Sequence, residues 1–289
     1  MQTLRHMVDD GIELAVDVGG DRDAPCVVLL HGGGQTRFSW QGAMQELVAA
    51  GYQVINFDAR GHGDSAWAGP GGYSLTRNAR DLRHLVAQHR DRVALVGASL
   101  GGATALRAMA DGMRPRAVVL VDIVPRPDPK GVQRIRDFML AKPEGFASVD
   151  EVADAIAAYN PHRPRPSDAN GLMRNLRRQP DGRLRWHWDP AFLSRDIPVE
   201  LAELHDTIEG ARVAGSVPVL LIRGMSSDVV GQAGIAELRQ ALPRLEVFDV
   251  PNAGHMVAGD RNDVFNEGML AFLTRHFPPG DTTGPGSAL

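Results

Sequence analysis

The chain has 289 residues, is 43% hydrophobic and 23% charged, and sets 31 basic against 35 acidic side chains for a formal net charge of -4. That balance gives no electrostatic footprint for nucleic acid, and no run of about 18 apolar residues offers a membrane span. The length supplies core material without staples, the single cysteine excludes a disulfide framework, and charges among the first eleven residues stand where a secretory signal needs apolar ones. A reducing, cytosolic setting is the expectation.

In chain order, residues 3–8 and 12–18 flank Asp10-Gly11 and predict an antiparallel hairpin at a sheet edge. Short β-rich apolar runs follow at 26–30, 53–57, 93–96, 117–121, 217–222 and 246–250. Helical patterns stand between them, Leu75, Ala79, Leu82, Leu85 and Val86 sharing one face and Phe265, Met269, Phe272, Leu273 and Phe277 another. This alternation predicts an α/β fold, a mostly parallel sheet flanked by helices. Cys26, inside the first of these runs, reads as a buried strand side chain. After Asp122 the rhythm breaks for about 90 residues rich in Pro and Arg. Residues 124–215 therefore read as an inserted cap on a core of 1–123 and 216–277, with helices at 132–140, 149–159 and 201–213 and an irregular Pro-rich stretch at 160–166. Residues 278–289, with little to bury, predict a disordered tail.

Chemistry concentrates at Gly97-Ala98-Ser99-Leu100-Gly101, which closes a strand and opens a small-residue helix. A serine on so tight a turn is thrust outward, and glycines two residues to either side relieve the crowding. The Leu100 N–H, at the helix start, is one candidate donor for developing negative charge. His31-Gly32-Gly33-Gly34, directly after another strand, offers the Gly33 N–H as a second. Serine needs a base, and the base an orienting acid. His255, in Asn252-Ala253-Gly254-His255 after a late strand, is the preferred base. His31 and His62 adjoin glycines in tight loops and read as backbone partners. For the acid, Asp228 in the loop after 217–222 is preferred over its rival Asp122, at the end of 117–121.

The order Ser99, Asp228, His255, the His31-Gly32 loop and Asp58-Ala59-Arg60-Gly61-His62-Gly63-Asp64-Ser65 resemble the α/β-hydrolase superfamily across nearly the whole core. The resemblance implies an eight-stranded sheet with the cap after its sixth strand, as in the lidded branch of esterases, lactonases, carbon–carbon bond hydrolases, cofactor-free perhydrolases and epoxide hydrolases. Epoxide hydrolases and haloalkane dehalogenases of that branch carry aspartate as nucleophile. Ser99 departs from them, and the cap offers only Tyr159 to activate an epoxide. The expected function is hydrolysis of a carboxylic ester, lactone or thioester of a small molecule through an acyl-enzyme, with no metal and no organic cofactor. Carbon–carbon hydrolysis and perhydrolysis on the same residues remain alternatives, as does a slow or non-catalytic ligand receptor. Phe38, Trp40, Tyr159, Trp186 and Trp188 are candidates to line the acyl pocket. Arg163, Arg165, Arg174, Arg177, Arg178, Arg183 and Arg185 crowd the cap, where surface pairing is favoured over an anionic substrate group.

Overall fold

The computed structural model describes residues 1–89, 92–161, 163–257 and 262–280. Gly11, at φ 79°, turns the chain between β1 (Gln2–Met7) and β2 (Glu13–Gly19), which pair antiparallel. Then come β3 (Cys26–Leu30), α1 (Gln41–Ala49), β4 (Gln53–Phe57), α2 (Leu75–Leu85), β5 (Val93–Ala98), α3 (Leu100–Ala110) and β6 (Ala117–Val121). The cap holds α4 (Pro129–Leu140), α5 (Val149–Tyr159), the short α6 (Ala169–Met173) and a small hairpin of β7 (Leu176–Arg178) and β8 (Leu184–Trp186) that the sequence pattern did not reveal. Next are α7 (Ile197–Ala211), β9 (Val219–Gly224), α8 (Gln232–Ala241), β10 (Leu245–Val250) and α9 (Asn262–His276).

Eight strands form one sheet in the order β1-β2-β4-β3-β5-β6-β9-β10. β2 runs antiparallel to both β1 and β4, and the remaining ladders are parallel, as right-handed helical crossovers require. The central strands are buried on both faces, which is why their sequences are continuous rather than alternating apolar runs. Within β3 the period of two still sorts the side chains. Cys26, Val28 and Leu30 join the core under α2, α3, α7 and α8, whereas Val27 and Leu29 join the opposite core under α1 and α9. Burial pushes the Cys26 thiol up to about 12, so it stays protonated packing material.

Ile208 and Ala211 of α7 belong to the same buried cluster as Leu106 and Met109 of α3, so α7, assigned above to the cap, packs with the core. The cap has a small core of its own, Phe146, Val152, Leu176 and Leu184. The tail beyond residue 280 lies outside the described residues. Among those residues no helix is long and apolar enough to cross a membrane.

Candidate active site

β5 delivers the chain to Ser99 at φ 45° and ψ −109°, a left-handed backbone for a non-glycine residue. Such a conformation costs about 1–3 kcal/mol and persists only where neighbours over-determine it. A Cβ added at Gly97 would lie 2.5 Å from the Gly101 carbonyl carbon, and one added at Gly101 would lie 2.2 Å from the Leu30 carbonyl oxygen. Both glycines are therefore steric requirements of the turn. Ser99 N–H donates to the Val121 carbonyl at 3.0 Å, and the Ser99 carbonyl accepts from Ala103 N–H at 2.9 Å, tying the elbow to β6 and α3. Leu100 opens α3, so its N–H is among the donors that no preceding helical turn satisfies.

His255 sits in the loop after β10, and that loop is sewn to the end of β9. Met225 N–H donates to the Val250 carbonyl at 3.0 Å and Ser226 N–H to the Ala253 carbonyl at 2.9 Å. Gly224 allows this approach, since a Cβ there would lie 2.2 Å from the Gly254 carbonyl. His255 Nδ1 lies 2.7 Å from Asp122 Oδ2. A carboxylate accepts, so the ring proton belongs on Nδ1 and Nε2 is left as the basic nitrogen. The Asp122 side chain is fully buried, accepts from Ser227 Oγ at 2.5 Å and Gly224 N–H at 3.2 Å, and stands on a backbone at φ 50°.

The acid beside His255 is thus Asp122, and the preference for Asp228 is corrected. The reason is topological. β6 lies between β5 and β9, and the histidine loop is bonded onto the end of β9, so the first residue beyond β6 has the serine loop on one side and the histidine loop on the other. The loop after β9 instead climbs into the cap, where Asp128 N–H donates to the Val229 carbonyl at 2.9 Å and Asp228 pairs with Arg134 of α4 at 2.8 Å. The sequence held one usable signal: Asp122 follows its strand with no intervening residue, whereas Asp228 stands four residues past Gly224.

The His31–Gly34 loop leaves β3 beside the elbow. His31 Nδ1 lies 2.8 Å from the Gly32 carbonyl and its Nε2 accepts from Ala59 N–H at 2.9 Å. Gly34, at φ 73°, donates its N–H to His62 Nε2 at 3.1 Å. Burial pushes His31 down to about 4 and His62 to about 3, so both are neutral rings serving the backbone, as the sequence suggests. Gly33, Ser99, Leu100, Asp122 and His255 line one cavity of about 440 Å³.

Tyr159, Trp186 and Trp188 also line it, together with Phe138, Met139 and Phe192, which the sequence reading missed. Phe138 stacks on Tyr159 with ring centres 4.3 Å apart, and Trp186 on Trp188 at 5.0 Å. The two aromatic candidates after the His-Gly loop are corrected. Trp40 is buried against Phe265 on the other face of the sheet, where α1 and α9 need its bulk. Phe38 lies outside the cavity lining, with the guanidinium groups of Arg37 and Arg174 over its ring at 4.4 and 5.1 Å.

Two ion pairs stand at the cavity, Arg136 with Glu200 at 2.6 Å and Arg195 with Glu203 at 2.5 Å. Of the cap arginines, Arg165 binds Asp150 and Asp154, Arg177 donates to the Gly63 carbonyl and Arg183 to the Gly145 carbonyl. Arg163 lines the cavity and donates to the Met256 carbonyl at 3.2 Å.

Comparison with known proteins agrees with this fold. A model of the alpha/beta hydrolase family matches residues 27–267. The chain is 33% identical over 264 residues to esterase Rv0045c of Mycobacterium tuberculosis, covering 88% of this chain and 84% of that one. The solved structure of that esterase superposes with a TM-score of 0.73 at 30% identity, over 94% of this chain and 91% of the other. E-2-(acetamidomethylene)succinate hydrolase superposes with a TM-score of 0.79 at 25% identity, over 94% and 99%.

Proposed function

The chain belongs to the alpha/beta hydrolase family, and from that premise we propose that it hydrolyses small, uncharged carboxylic esters through an acyl-enzyme on Ser99. His255 Nε2 removes the Ser99 proton as the oxygen attacks the ester carbonyl. Asp122 holds the imidazole in the required tautomer and stabilises the cation that forms. The N–H groups of Gly33 and Leu100 receive the oxyanion, each contributing about 3 kcal/mol in the transition state. The protonated imidazole then gives its proton to the leaving alcohol, and water repeats the sequence to free the acid.

The observation that carries this reading is the 2.7 Å contact between His255 and a fully buried Asp122, beside a strained serine in the same cavity. The choice of an uncharged ester rests on the lining. Stacked aromatic rings form much of the wall, and the acidic and basic groups there already have partners. An apolar acyl or aryl group gains by burial there, roughly 25 cal/mol for each Å² removed from water. A fluorophosphonate should label Ser99, and p-nitrophenyl butyrate should turn over rapidly. Ser99→Ala should abolish labelling and lower kcat by about 10⁴-fold or more. Full turnover in Ser99→Ala would overturn the assignment.

A further inference from the structure

We infer that His187, carried by the cap, is a positioning residue for the oxyanion hole, fixing the Gly33 N–H by holding the carbonyl of Gly34. The inference rests on the hydrolase reading above and adds to it a residue outside the serine, histidine and acid. Gly34 is the hinge of the loop. Its φ of 73° is one that glycine adopts without steric cost, and a Cβ there would lie 3.0 Å from the Met139 methyl carbon. The peptide that carries the Gly33 N–H has its carbonyl, that of Gly32, held by Gln35 N–H at 3.0 Å and 2.8 Å from His31 Nδ1, and the two peptides of Gly34 extend that order toward the cap. On one side Gly34 N–H donates to His62 Nε2 at 3.1 Å, and on the other the Gly34 carbonyl meets His187 Nε2 at 3.2 Å.

The tautomer of His187 follows from its other nitrogen. Nδ1 lies 2.7 Å from Gly63 N, and a backbone amide can only donate, so Nδ1 is bare and the proton sits on Nε2, aimed at Gly34. Burial holds this imidazole well below its ordinary pKa, which keeps both bonds in place at neutral pH. The segment bearing His187 is itself anchored to the core. Trp67 Nε1 donates to the His187 carbonyl at 3.2 Å, Asp189 N–H to the Gly61 carbonyl at 2.8 Å, and Tyr73 Oη to Asp189 Oδ2 at 2.5 Å. The imidazole thus bridges two glycine loops of the core, 32–34 and 61–63, from a fixed frame in the cap.

Two isosteric replacements separate the bonds. His187→Asn keeps an acceptor near Nδ1 for Gly63 but loses the donor to Gly34, whereas His187→Gln carries an amide N–H near the Nε2 position. With p-nitrophenyl butyrate, H187N should lose about 10- to 50-fold in kcat with KM within about twofold. Its inhibition constant for phenylboronic acid, whose tetrahedral adduct on Ser99 uses the same two N–H groups, should rise in parallel. H187Q should recover kcat to within about fivefold of the parent. W67F, at a half-exposed position, loosens the same segment without touching the imidazole and carries the test if H187N does not fold. It should lower kcat by about threefold with a matching rise in the boronate constant.

Equal kcat and boronate affinity in the parent and these variants would overturn the inference, as would a rise in KM alone, which would make His187 a wall of the substrate pocket. If the parent itself is not labelled by a fluorophosphonate, the hydrolase reading falls and this one with it. A labelled parent with an unaffected H187N sinks only the positioning role.

Discussion

The cavity has two sides, and they are held in place by different means. On the core side, Ser99, Asp122 and Gly34 occupy positive-φ backbones within four residues of a strand end, each fixed by main-chain bonds into the sheet or by buried rings that serve the main chain. On the cap side, position comes from side chains, the stacked rings of Phe138 and Tyr159 and of Trp186 and Trp188, and the Arg136–Glu200 pair. Chemistry needs placement within about half an ångström, which a sheet supplies. Outside the His187 segment, the cap has a small cluster of its own that the two main cores do not share, and it can be repacked without moving the reacting groups. If the division holds, substitutions on the core side should act on kcat and those on the cap side on the choice of substrate.

The largest effect should come from Asp122→Asn. The amide leaves the fold intact but no longer holds a proton on His255 Nδ1, so kcat for p-nitrophenyl butyrate should fall by about 10³- to 10⁴-fold with little change in KM. A loss below tenfold would mean that the backbone side of the cavity does not set the tautomer, and would return the acid's role to another carboxylate.

Stability sharpens the same contrast, because the buried imidazoles sit at the core side of the loops. His31 and His62 are pushed down to about 4 and about 3, and His187 also lies well below the ordinary 6.5. Below pH 6.5 the unfolded chain binds protons that the folded one refuses, so stability is complete above that value and is lost as pH falls toward 4. Each imidazole contributes a slope of about 1.4 kcal/mol per pH unit across the window. Asp58 and Asp81, raised by burial, act in the opposite direction above their ordinary 3.8. Urea unfolding should therefore report a stability at pH 5 lower than at pH 7 by about 4–6 kcal/mol. A flat profile would mean that these rings are hydrated and that the glycine loops are not held by neutral histidines.

The sequence made the core legible because its physics is local. β3, β4 and β6 lie at the residues where the apolar runs begin and end, and the two glycines around Ser99 announce a turn that no other residue can make. The roles of His31 and His62 were readable for the same reason, since each sits in a glycine loop and bonds backbone within or beside it. The acid was not, because its choice depends on which strands are neighbours. β6 lies beside β5 and β9 although the whole cap separates it from β9 in the chain. Trp40 failed for a related reason: its distance from the His-Gly loop in sequence is short, but the helical turn Arg37–Trp40 rotates it to the far face of the sheet. Residues 201–213 carry a helical pattern whether they cover a substrate or a sheet, and only the contact of α7 with α3 decides between them.

On the cap side, Trp186→Ala removes one of two stacked indoles and a contact to Phe138 with ring centres 5.5 Å apart. The loss should fall on esters large enough to reach that wall. For a p-nitrophenyl ester with an acyl chain of eight carbons or a benzoyl group, kcat/KM should drop by about 10- to 30-fold, equivalent to the burial of a few methylenes. For the acetate it should change by less than about threefold. An equal fall for both would show that the cap also aligns the reacting groups, and the proposed separation of roles would fail outside the His187 segment.

The smallest effect belongs to the other carboxylate. Asp228 is about 40% exposed and pairs with Arg134, whose guanidinium lies 4.9 Å from the centre of the Tyr159 ring. A partly exposed pair of this kind contributes about 0–1 kcal/mol, so Asp228→Asn should leave kcat within about threefold of the parent and the stability nearly unchanged. What it can alter is Arg134, which loses its anion while remaining over a ring that lines the cavity. A modest gain in kcat/KM for an ester bearing a carboxylate, of about two- to fivefold, would follow from that exposed cation. Measuring Asp122→Asn and Asp228→Asn side by side therefore tests one sheet-bound acid against one cap-bound acid in the same protein, and comparable losses from the two would erase the distinction between the cavity's sides.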